Sequence, residues 1–99
     1  ATASLRGGAN STAFASAKSA QRSLAQSMAR RLGPTGIHVS CVIIDGIIDL
    51  ERTRAARPDV PDEHYLQPDD IARSVYDLTR QHRSAWTFEL DLRPFGEKW

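Results

Sequence analysis

The chain has 99 residues, 40% of them hydrophobic and 25% charged, with a formal net charge of +1. That length supports one small domain with one modest core, the composition is ordinary for a globular protein, and a charge this near zero gives no global field for nucleic acid. No apolar run approaches the ~20 residues that span a bilayer, and the single cysteine, Cys41, can make no intramolecular disulfide, which fits a reducing, cytoplasmic setting.

Residues 1–10, ATASLRGGAN, are small and glycine-containing and read as a strand end or loop. They resemble mid-domain sequence more than a leader, so a piece of a longer protein is expected. A long helix is predicted from about Ser11 to Leu32, with Ser11 or Asn10 as N-cap. Phe14, Ala17, Leu24, Met28 and Leu32 fall on one apolar stripe at helical spacing, and Gly33-Pro34 ends it, Gly33 taking the left-handed position.

Ile37–Ile44 is rich in β-branched residues and predicts a strand, continuously apolar at its end as a strand covered on both faces should be. Cys41 sits within it and reads as a small core residue. Asp45-Gly46 breaks the strand. Residues 49–67 are polar and read as a loop with a short helix at Glu51–Arg57. A second helix begins at Pro68, with Asp69 and Asp70 at the positive end of its dipole and Ile71, Val75 and Leu78 as its apolar stripe. Gln81–Ser84 connects to a strand over Ala85–Leu92, in which Trp86, Phe88, Leu90 and Leu92 alternate with Thr87, Glu89 and Asp91. Arg93–Trp99 is a polar tail with an aromatic end.

The order helix, strand, helix, strand predicts a parallel crossover. A two-stranded parallel sheet covers too little by itself, so the fold class expected is α/β: residues 1–99 as one partial domain, the C-terminal portion of a Rossmann-like doubly wound sheet. Residues 1–44 hold Arg6, Lys18, Arg22, Arg30 and Arg31 and no acid, a charge of +5 against −4 for the rest. A solvated helix face explains this better than an anion site, and nucleic acid is not an expected partner. His38, His64 and His82 lie on separate elements without ligand spacing, so no metal site is assigned.

The segment FASAKSAQRSLAQSMARRLGPTGIHVSCVIIDG resembles the short-chain dehydrogenase/reductase family. In that family a helix carries Tyr-x-x-x-Lys and leads through a Gly-Ile-x-Val strand to a Pro-Gly loop. Here Phe14-Ala15-Ser16-Ala17-Lys18 stands at the first motif, Gly36-Ile37-His38-Val39 at the second and Asp45-Gly46 at the third. Leu24, Ser27, Ala29 and Leu32 follow the helix pattern, and Pro68-Asp69-Asp70-Ile71-Ala72 looks like the start of the family's last long helix. The family's glycine-rich nucleotide turn does not occur in this chain.

The resemblance implies an oxidoreductase using NAD or NADP, with Phe14 in the position of the catalytic Tyr and unable to exchange a proton. It implies Lys18 as the ribose-binding lysine, and the backbone of Gly46, Ile47 and Ile48 beside the nicotinamide amide. The family's catalytic Ser falls on Ala1 or just before it; Thr2 and Ser4 are nearby hydroxyls to which the sequence assigns no role. Catalysis by the family route is expected to be impaired, and this chain alone inactive. The alternative is a non-catalytic module that assembles with itself, a dimer being favoured because the long helix and last strand are elements the family uses in subunit contacts.

Overall fold

A computed structural model describes residues 1–98; Trp99, the aromatic end of the tail, lies outside the described residues. The first helix, α1, runs Thr12–Leu32. Beyond its first residue it contains no β-branched residue, glycine or proline, and its many Ala, Gln, Arg and Leu residues lose little on entering a helix. Ser11 stands at the N-cap, but its hydroxyl donates to Gly8 O at 3.4 Å and accepts no helix N–H. The helix end also differs from expectation. Gly33 stays right-handed and opens a 3₁₀ turn, Gly33–Thr35, and it is Gly36 that turns left-handed at φ 89°. Pro34 explains the shift: its fixed φ suits the first turn of a helical segment, so the chain tightens before it reverses.

The first strand, β1, covers Cys41–Ile44 and pairs in parallel with the last, β4, Glu89–Leu92, in the register Cys41↔Glu89 to Ile44↔Leu92. Parallel pairing agrees with the helix between the two strands. Both strands are shorter than predicted. At the expected start of the ladder, Thr87 O is taken by side chains instead: His38 Nε2 lies 2.9 Å and Ser40 Oγ 2.7 Å from it. Thr87 N donates to Gln81 Oε1 at 2.8 Å, so residues 37–40 find no ladder partner there. In β4, Leu90 and Leu92 are half-buried and Glu89 and Asp91 exposed, the alternation expected.

Between β1 and β4 lies a second parallel pair that periodicity does not reveal. β2, Ile47–Ile48, pairs with β3, Tyr65–Leu66, and α2, Glu51–Ala56, connects them. Two-residue strands carry no periodic signal. Tyr65 is buried, its ring under the Arg54 guanidinium at 4.1 Å and its hydroxyl donating to Arg57 O at 2.7 Å. Arg54 also forks onto Asp49, at 2.6 and 2.9 Å, and reaches Asp62. Gln67 Nε2 donates to Asp49 at 2.9 Å. The Arg54 fork, with Gln67, holds the Asp49 carboxyl down at about 2, from an ordinary 3.8. The stretch expected as a loop with a helix is therefore tied together by one arginine. Helix α3, Pro68–Thr79, follows with Pro68 in its first turn and Leu78 buried.

Among the described residues Ala15, Ile43, Tyr65 and Leu78 are buried hydrophobic side chains, and Pro94 is buried too. The radius of gyration, 15.3 Å, exceeds the ~13 Å of a compact 100-residue domain. The α1 stripe predicted to face the core does not: Phe14 is 53% exposed, Leu24 61% and Met28 42%. The inward side is instead Ala15, Lys18, Arg22, Ala25 and Ala29, roughly a quarter turn away. One cause is visible in Arg22, whose guanidinium forks onto Glu89 of β4 at 2.7 and 3.1 Å and draws that side of the helix to the sheet. Among the described residues no helix is long and apolar enough to cross a membrane.

Two outcomes follow from the turns and ties. Gly46 has φ +148°, and a Cβ there would stand 2.8 Å from Pro94 Cδ. Gly46→Ala should cost about 1–3 kcal/mol in chemical denaturation, the usual toll of one strained backbone position. The Asp49 carboxyl titrates lower folded than unfolded, so its contribution is complete above pH 3.8 and is lost as pH falls toward about 2. Hydrogen exchange should show residues 49–67 opening in that window, and Arg54→Met should remove the acid sensitivity by opening the segment at all pH values.

Candidate active site

Of the residues assigned from the sequence, Phe14 and Gly46 share a cleft at the carboxyl end of β1, where open parallel sheets place their ligands. Phe14 and Lys18 lie one turn apart on α1, with Lys18 Nζ 5.7 Å from the centre of the Phe14 ring. The Lys18 ammonium also donates to Gln21 Oε1 at 3.2 Å. Beside them are two clefts that share Ala1 and Ile44 in their walls. The larger, about 450 Å³, brings Phe14 together with Thr2, Ser11 and Gly46. The smaller, about 290 Å³, holds Lys18, Arg22 and Cys41.

Ile47 lines a third cleft with Thr2, Asp45, Gly46 and His64. Ile48 lies one residue further along β2. Asp49 N donates to Leu66 O at 2.8 Å, and the alternation of a parallel ladder then turns the Ile48 N–H away from β3. The Ile48 carbonyl accepts the Thr53 hydroxyl at 2.5 Å. Phe14 and Gly46 therefore share one cleft, Lys18 lines the neighbouring one and Ile47 the third, while Ile48 lines none of these three.

Sequence reasoning missed the most heavily buried polar group. Asp45 is 7% exposed, and its carboxylate accepts the Thr2 hydroxyl. Arg93 Nη2 lies 3.8 Å from its other oxygen and also pairs with Asp91. The signal was present as an acid where Pro is usual, but an acid beside glycine reads first as a turn. Cys41 is half-buried rather than core. The three histidines serve local structure: His38 stacks on Trp86 at 4.8 Å, His82 Nδ1 accepts Ser84 N at 3.3 Å, and the His64 ring packs over Gly96. Among the described residues no His, Cys, Asp and Glu cluster is arranged for a metal ion.

Neither a protein-family model nor a curated protein matches the chain. Among solved structures it is similar to a short-chain dehydrogenase from Rhodopseudomonas palustris, with 44% identity and a TM-score of 0.70 over 95% of this chain. The match spans 35% of that relative's length. Taken with the parallel β1–β4 pair and the placement of α1 beside its carboxyl end, that identity over nearly all of these residues shows that the chain belongs to the short-chain dehydrogenase/reductase family.

Proposed function

We propose that the protein carrying this chain is an NAD(P)-binding oxidoreductase of its family in which Phe14 has removed the usual proton donor. The observation that supports this is the placement of Phe14 and Gly46 in one cleft at the carboxyl end of β1, with Lys18 Nζ 5.7 Å from the Phe14 ring. A bound nicotinamide nucleotide would supply the hydride chemistry. Lys18 would donate to ribose hydroxyl oxygens, and the Ile48 N–H to the carboxamide. The Phe14 ring would exclude water on that side but hold no proton. Loss of a positioned acid or base lowers rate by roughly 10²–10⁴-fold, so catalysis by the family route is impaired. The lone half-buried cysteine accords with a reducing, cytoplasmic setting.

A second reading concerns assembly. Phe14, Leu24 and Met28 leave an apolar stripe along one side of α1, and self-association through a two-fold axis would cover it. On this reading the chain is a homodimerising module, with or without catalysis.

Fluorescence titration of the full-length protein with NADH and NADPH tests the first reading. Binding should be saturable and weaker in Lys18→Met, and Phe14→Tyr should raise turnover without changing affinity. Absence of both a fluorescence change and a thermal shift at millimolar nucleotide overturns it. For the second, light scattering at micromolar concentration should give twice the chain mass, and Leu24→Glu should halve it; a monomeric wild type sinks the dimer.

A further inference from the structure

Phe14 leaves the site without the family's hydroxyl, yet another hydroxyl borders the same cleft. Thr2 lines the cleft that holds Phe14 and Gly46, and it also lines the polar cleft that holds Asp45, Arg57, His64 and Glu97. Its Oγ donates its proton to Asp45 Oδ1. That orientation leaves the lone pairs of Thr2 Oγ as the acceptor for any hydroxyl entering the Phe14 cleft. Asp45 is too buried to be an incidental surface acid, and a buried carboxylate persists only with partners. Two surround it: the Thr2 hydroxyl, and the Arg93 guanidinium, whose charge is shared with Asp91.

We propose that Thr2 and Asp45 form a proton relay that takes over the work of the missing tyrosine hydroxyl, Thr2 as the catalytic residue touching substrate and Asp45 as the positioning residue and proton store behind it. This rests on the nicotinamide reading above, and its substrate class is a small alcohol or its carbonyl partner. In the oxidation direction the substrate O–H proton passes to Thr2 Oγ as the proton of Thr2 moves to Asp45 Oδ1. The carbon-bound hydrogen leaves with its electron pair to an oxidised nicotinamide nucleotide, and the C–O bond becomes a carbonyl. Asp45, now a neutral acid, returns its proton to water through the cleft bordered by Arg57, His64 and Glu97. Reduction runs the same steps backwards.

The test uses the full-length protein with NADH or NADPH, and 4-nitrobenzaldehyde and 2,3-butanedione as carbonyl probes. Thr2→Val and Asp45→Asn should each lower turnover by about 10²–10⁴-fold, with nucleotide affinity from fluorescence unchanged. Thr2→Ser should retain most of the rate, because it keeps the hydroxyl. The acidic limb of the pH–rate profile should vanish in Asp45→Asn, whereas substitutions of the other titratable groups around Asp45, namely Asp91, His64 and Glu97, should leave it in place. Independently of activity, the ¹³C chemical shift of the labelled Asp45 carboxyl at neutral pH should differ between Thr2→Val and wild type, since the hydrogen bond from the Thr2 hydroxyl is lost. If wild type binds no nucleotide, the nicotinamide reading fails and takes the relay with it. If nucleotide binds but Thr2→Val turns over like wild type, if Thr2→Ser is as poor as Thr2→Val, if the Asp45 carboxyl shift is unmoved, or if neither probe reacts, the relay alone is overturned.

Discussion

Parallel pairing of β1 with β4 is the constraint from which the rest of the chain takes its place. Two parallel strands cannot be joined by a tight turn, because the chain must travel back the length of the first before pairing with it. Residues 45–88 make that return. The ladder is only four residues long, from Cys41↔Glu89 to Ile44↔Leu92. Its position along the strands is set by side chains at one end, where His38 and Ser40 occupy Thr87 O. At the other end Asp45 N donates to Leu92 O at 2.8 Å, and the chain then swings away through Gly46.

That swing is what makes the carboxyl end of β1 chemically varied. Gly46 adopts a conformation that side-chain-bearing residues avoid and leaves no room for a Cβ against Pro94. Asp45 is thereby held inward, between the segment Thr2–Ser4 and the tail at Arg93. Three stretches far apart in the chain meet at this carboxylate. Phe14 and Lys18 approach the same region from α1, so an aromatic ring, an ammonium and a hydrogen-bonded acid lie around one strand end.

The thin interior has a plain physical reading. Side chains such as Leu24 and Met28 gain from burial only against another apolar surface, and α1 turns its basic inner side to the sheet because Arg22 finds Glu89 there. The arginine stem packs while its head pairs. The outer stripe of Phe14, Leu24 and Met28 remains exposed.

Long-range order in the sequence was enough to identify the family, the two main helices and the parallel α/β class. Each of these rests on many residues in a row: the Ala-rich run from Thr12 to Leu32, the β-branched run ending at Ile44, and the motif string from Phe14-x-x-x-Lys18 to Asp45-Gly46. What only the tertiary structure decided were facts that depend on a distant partner. The β2–β3 pair is two residues a side and has no period to detect. The inward face of α1, where Arg22 pairs with the distant Glu89, departs from the apolar stripe, and the helix end follows Pro34 rather than the first glycine. Asp45 is a turn residue in sequence and a buried acceptor in the fold, because burial belongs to the neighbours a residue meets and not to the residue itself.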